Sequence, residues 1–255
     1  MHFSYLGDYF YSTLPSGELE ITGIRERRYP FVVIPDGVIE IGAHAFDNYA
    51  SLSEVVLPDS VKGIGEGAFA HCVSLKHIDL PSGLVSIGSA AFASCGLVEL
   101  TLPERVSCIG YRAFSGCFDL KSVELLSKEL TELPQRSFQG CRRLRTLSVP
   151  GCVKRIGAEA FKNCESLSEV YIAEGVELID KEAFYNCPRL EKAVLPPTLR
   201  RIAEGAFGGI GGGFRKPQII YCGGRAEWAE TEIEPGNGVI TGSDIIYLDD
   251  SREKD

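Results

Sequence analysis

The chain has 255 residues, 44% of them apolar, which is enough to bury a sizeable core in one or two domains. A formal net charge of -9 disfavours nucleic acid and anionic membrane as partners, since basic patches carry the affinity for both, and it suits a basic protein partner. There is no run of about 18 apolar residues, so no membrane insertion is expected.

In chain order, Met1 to Tyr11 lacks a basic region followed by an apolar run, so no signal peptide is expected and the chain reads as cytoplasmic as written. Residues 1–30 read as an N-terminal cap. Residues 31–214 are organised by Phe46, Phe69, Phe92, Phe114, Phe138, Phe161, Phe184 and Phe207, which stand 23, 23, 22, 24, 23, 23 and 23 residues apart. Seven of the eight follow an alanine, and six are followed three residues later by a cysteine. A period this regular predicts one small unit stacked on copies of itself. No single rung can bury its own apolar face, so the stack reads as one continuous domain with capped ends.

Within the rung Leu52 to Cys72, Val55 and Leu57 point inward and Glu54 and Val56 outward, as in a short strand. Pro58 ends it, and Pro35, Pro81, Pro103, Pro150 and Pro196 hold the same place, with Ser127 and Ala173 as departures. Val61 and Ile64 form the next inward pair, and Gly65 belongs to a glycine column that marks a special backbone conformation or a close approach. A short helical turn carrying Ala68 and Phe69 is expected next. Two residues past each phenylalanine stand Asn48, His71, Ser94, Gly116, Gly140, Asn163, Asn186 and Gly209, a composition suited to a left-handed residue. The short interval follows from one residue fewer between Cys95 and Leu97, and the long one from an extra residue between Leu125 and Leu130. Residues 215–250 read as a C-terminal cap in which Trp228 plugs the last rung, and 251–255 as a frayed tail.

The rung Leu57 to Ile78 resembles the bacterial BspA-type leucine-rich repeat, and the resemblance extends over roughly residues 30 to 250. Phe10 to Gly23 is similar to the strand pair that opens such arrays, and Ile220 to Gly224 with Trp228 and Ile245 to Tyr247 to their closing segment. The resemblance implies an α/β repeat solenoid: a right-handed array of about eight 23-residue rungs, with short parallel strands on one face and short helical turns on the other. It also implies interaction or adhesion roles and a secreted or cell-surface location.

The residues do not assemble into a catalytic pattern, and no enzymatic activity, cofactor or metal is expected. His44 reads as a solvated residue, and neither His44 nor His71 has a serine or cysteine partner implied by spacing. Gly63 to Ala68 matches a dinucleotide fingerprint, but no long helix is expected after it. Gly208 to Gly213 lacks the ending of a phosphate loop and reads as a flexible loop. Cys72, Cys95, Cys117, Cys141, Cys164 and Cys187 form a buried column. With helical turns, its rungs would lie about 8–10 Å apart, too far for disulfides. Cys108, Cys152 and Cys222 lie off it and are better candidates for reactive thiols.

Function is therefore expected on the outward strand positions. One row reads Glu54, His77, Glu99, Ser122, Thr146, Glu169, Lys192, and the next reads Val56, Asp79, Thr101, Glu124, Ser148, Tyr171, Val194. Candidate partner-binding residues are Glu54, Val56, His77, Asp79, Glu99, Thr101, Glu124, Ser148, Glu169, Tyr171 and Lys192. The acidic, hydroxyl-bearing middle suits a basic peptide or loop, and Tyr171 is a candidate anchor. The expected protein is a monomer that binds a protein partner. A glycan is the alternative ligand, and a solvated face without any partner is the plain one.

Overall fold

The computed structural model describes residues 9–27, 29–210, 216–242 and 244–249. A typical rung has three runs: a front strand, a short side strand and a turn run. Their inward side chains meet in one hydrophobic core that extends along the whole stack.

The front strands are Phe31–Val33, Glu54–Val56, Glu99–Leu102, Ser122–Leu125, Thr146–Val149, Glu169–Ile172, Lys192–Leu195, Gln218–Tyr221 and Ile245–Tyr247. They form a two-stranded and a seven-stranded parallel sheet, separated by the rung at 76–80, where the chain is not a regular strand. Pairing is in register, with Ser122 opposite Glu99 and Tyr171 opposite Ser148, so equivalent repeat positions stack into rows. Four-residue strands such as Glu99–Leu102 alternate exposed and buried, which is the two-residue period of the sequence made visible.

Side strands such as Gly63–Ile64 and Arg155–Ile156 form a second column. The column divides after Cys108–Ile109, where the repeat lengthens. There Ser127 is buried, donates to the Val106 carbonyl at 2.6 Å, and accepts from the Glu129 and Leu130 amides at 3.1 and 2.9 Å, taking up the extra residue locally. At the shortened interval Gly96 is required by space, because a Cβ there would stand 2.2 Å from the Val73 carbonyl oxygen.

The turn run differs from expectation. It contains no helix; the described α-helices are Arg225–Ala229 and Gly238–Thr241, both beyond the last phenylalanine rung. The reason is a second left-handed column four residues before the one at Asn48. His44, Ala90, Arg112, Arg136, Glu159 and Glu182 have φ between 52° and 59°, and Gly67 and Gly205 occupy the same place. Two left-handed residues per rung divide the segment into consecutive tight turns and prevent an α-helical run from propagating. Its amides alternate in direction. Ala45, Asp47 and Tyr49 donate back within the rung to Gly42, His44 and Phe46 at 3.1–3.3 Å. His44, Phe46 and Asn48 donate forward to Glu66, Ala68 and Ala70 of the next rung at 2.7–2.8 Å. The rungs from Phe69 to Phe184 repeat the forward ladder. The left-handed conformation expected two residues past each phenylalanine is present at Asn48, His71, Ser94, Asn163 and Asn186 and at Gly116, Gly140 and Gly209.

Without helices the turn side stacks at sheet-like spacing. The eight phenylalanine rings are at most 1% exposed and lie 5.1–5.4 Å apart, with planes within 18° of parallel. The helix-width separation expected for the cysteine column is therefore too large. Its thiols are free, and each donates to a phenylalanine carbonyl of the preceding rung, as Cys95 does to Phe69 at 2.8 Å and Cys187 to Phe161 at 3.3 Å. Burial pushes the Cys117 and Cys187 thiols up to about 12. The glycine column allows close backbone approach: a Cβ at Gly110 would lie 2.2 Å from the Ser89 nitrogen.

The rung count also changes. Gln218–Tyr221 and Ile245–Tyr247 continue the front sheet, and Glu232–Ile233 continues the side sheet, so the stack has about ten layers rather than eight. Asn237, 2% exposed, closes the turn ladder with its side chain. Its Oδ1 accepts from the Phe207 amide at 2.9 Å, and its Nδ2 donates to the Ala203 and Glu234 carbonyls at 2.8 and 2.9 Å. Trp228 packs edge-on against Tyr221 with ring centroids 4.9 Å apart. His2, Gly211 to Gly213 and the tail 251–255 lie outside the described residues.

Candidate functional site: the front face and its groove

The front face has two outward rows. Glu54, His77, Asp79, Glu99, Thr101, Glu124 and Ser148 are exposed. Val56 is 47% exposed, and the first strand adds Phe31 and Val33 at 44% and 43%, so that end of the face is apolar. His77 and Asp79 stand on the rung that lacks a regular strand. Thr101 donates to Glu124 at 3.4 Å.

Glu169, Tyr171 and Lys192 are half-buried because they satisfy one another. The Tyr171 hydroxyl donates to Glu169. The Lys192 ammonium lies 5.1 Å from the centre of the Tyr171 ring and 3.5 Å from its hydroxyl. This fixes the ring across two rungs, with the attraction of a cation for a π face.

A groove of about 760 Å³ runs beside this second row. Glu124, Ser148, Tyr171 and Val194 form one bank, and Val149 and Ile172 lie in the floor. Pro150, Ala173, Glu174, Pro196, Pro197 and Cys222 form the other bank. The proline column ends each strand at the same height, so the turns that follow align into a wall. Of the candidate residues, Glu124, Ser148 and Tyr171 line the groove. Glu54, Val56, His77, Asp79, Glu99 and Thr101 extend the same face outside it. The wall was missed from the sequence although its signal was present: the proline column and its Ala173 departure are that wall, read only as strand terminators.

The off-column thiols are placed differently from one another. Cys108 is exposed; Cys152 is half-buried and donates to the Ser127 carbonyl at 3.2 Å; Cys222 is half-buried at the groove's end, where burial pushes its thiol up. Asp47 was also missed as a partner. It lies 3.3 Å from His44 and 3.1 Å from His71, because the two left-handed columns turn both rings toward it. Among the described residues, no group of three or more histidine, cysteine or acidic side chains is placed to hold a metal, and no helix is long and apolar enough to cross a membrane.

The turn side carries paired charges instead. Arg136 donates to Glu159 at 2.7 Å and to the Tyr111 hydroxyl at 2.8 Å, Gln139 donates to Glu159 at 3.0 Å, and Lys162 reaches Glu182 at 2.5 Å. The Arg136 hydrogen bond holds the Glu159 carboxyl below its ordinary value of 4.5 against the effect of burial.

The profile of the BspA type leucine-rich repeat region matches residues 28–97 and 85–210 in six copies. No curated protein matches the chain. Among solved structures, a leucine-rich repeat protein from Bacteroides ovatus is similar over 97% of this chain and 72% of its own, with 25% identity and a TM-score of 0.71. A leucine-rich repeat protein from T. pallidum is 29% identical over 79% of this chain and 86% of its own, with a TM-score of 0.58. The pneumococcal vaccine antigen PcpA shares the fold at 19% identity, over 89% of this chain and 75% of its own, with a TM-score of 0.59.

Proposed function

We propose that this chain, which belongs to the BspA-type leucine-rich repeat family, is a non-enzymatic interaction module whose front strand face binds a protein partner. The observation that carries the reading is the division of polar groups between the two sides. Turn-side charges are largely spent on one another, whereas Glu99, Asp79 and Ser148 stand exposed in aligned rows beside a groove. Neighbours within a row lie about 4.8 Å apart and the two rows about 6.6 Å apart, so a partner meets a repeating lattice of side chains rather than one pocket. The exposed carboxylates of these rows favour a basic partner.

The test is a pull-down comparing the native protein with a Glu99→Ala/Glu124→Ala/Tyr171→Ala variant of unchanged fold. Loss of a specific protein in the variant is the expected result. Equal recovery by both forms would move the binding surface to the turn side or the ends. If neither form recovers a protein, a glycan array becomes the discriminating experiment.

A further inference from the structure

The groove is chemically polarised along the stack. It spans the rungs from Glu124 to Cys222, which are consecutive neighbours in the front sheet. Four inter-strand steps of about 4.8 Å give a length of about 19 Å, the span of about six extended residues. At one end stands the Glu124 carboxylate, with Thr101, Glu99 and Asp79 exposed on the rungs beyond. Glu174 adds a second carboxylate on the wall. At the other end the lining is Val194, Pro196, Pro197 and Cys222. No lysine or arginine lines the groove among the described residues. The nearest cation of the front rows, Lys192, is directed at Tyr171.

The backbone of these strands is already paired on both edges within the sheet, so a ligand cannot add as another strand there. It has to lie across the strands and be read by its side chains.

We infer that the groove binds an extended peptide segment of about six residues, with lysine or arginine at the Glu124 end and apolar or proline residues at the Cys222 end. This rests on the front-face reading above and specifies the partner's chemistry. The Glu124 carboxylate supplies charge-assisted hydrogen bonds to the basic residue, and Glu174, two rungs along on the wall, adds negative charge at mid-groove. Tyr171, fixed by Glu169 and Lys192, supplies a rigid aromatic surface at mid-groove that loses little freedom on binding.

The experiment is selection from a bead-displayed random hexapeptide library by the full chain and by three variants whose folding is checked by thermal unfolding. Two alter the groove, Glu124→Lys and Val194→Glu, and one alters the turn side, Glu165→Lys. The expected result is enrichment of sequences basic at one end and apolar at the other. Affinity should fall about tenfold or more in each groove variant and stay unchanged in Glu165→Lys, and Glu124→Lys should shift the preference toward acidic residues at that end. Peptides that lose affinity in the groove variants but show no basic preference would overturn this inference and leave the front-face reading standing. Peptides unaffected by both groove variants but lost in Glu165→Lys would overturn both. No enrichment, or binding on an array only to glycans, would overturn the peptide assignment, and the pull-down would still decide the face independently.

Discussion

The front and turn sides are built from the same rungs at the same spacing, yet they use their polar groups in opposite ways. On the turn side the backbone forms a forward ladder that ends on the Asn237 side chain, and the charged side chains pair across rungs. On the front side the backbone is satisfied by the sheet, and many outward side chains project beyond it. The contrast teaches where each side's substitutions should register: turn-side changes in stability, front-side changes in binding.

The largest expected effect is Phe138→Ala. Removing one ring from the middle of a continuous buried stack should cost about 3–5 kcal/mol in denaturant unfolding. A loss within ordinary surface range, below about 1 kcal/mol, would mean the ring stack is not the spine of the fold. Next is Asn237→Ala, which leaves the buried Phe207 amide without its acceptor, while the Ala203 carbonyl keeps the Ala206 amide, and should cost about 1–3 kcal/mol.

Acid sensitivity gives a smaller effect. The folded Glu159 carboxyl lies below its ordinary 4.5, so its contribution is present above that value and is lost as pH falls through the lower folded one. Glu159→Gln should flatten the fall in unfolding free energy below about pH 4.5 by about 1 kcal/mol, because solvent screens Arg136, which is a third exposed. Ser137 stands in the alanine column fully buried, with its hydroxyl unpartnered, so Ser137→Ala should raise stability by up to about 1 kcal/mol. Smallest is the Glu99→Ala/Glu124→Ala pair, which should stay within about 0.5 kcal/mol of the native chain. A large destabilisation there would break the division between the sides.

The stack was legible because every rung repeats the same inward columns. Phe46 to Phe207, Ile41 to Ile202 and the left-handed column at Asn48 are each signalled several times over. The non-helical turn was not legible, because the left-handed column at His44 is filled by alanine, arginine and glutamate as well as glycine. Those residues carry no turn signature, and the hydrogen bonds that stabilise them come from the next rung. The same error set the cysteine spacing too wide. In the groove, Glu124, Ser148 and Tyr171 were legible from strand alternation, but the Pro150 to Cys222 wall depends on turns aligning between rungs. The Glu169–Tyr171–Lys192 contact likewise depends on side-chain conformation rather than on sequence period.

Carboxyl footprinting, with and without the partner recovered by the native protein alone, decides which side of the stack is the binding surface. The bound partner is expected to protect Glu99, Glu124 and Glu174 from modification while Glu165 and Glu204 on the turn side label as before. Protection of Glu165 and Glu204 with unchanged labelling along the front row would contradict binding at the front face.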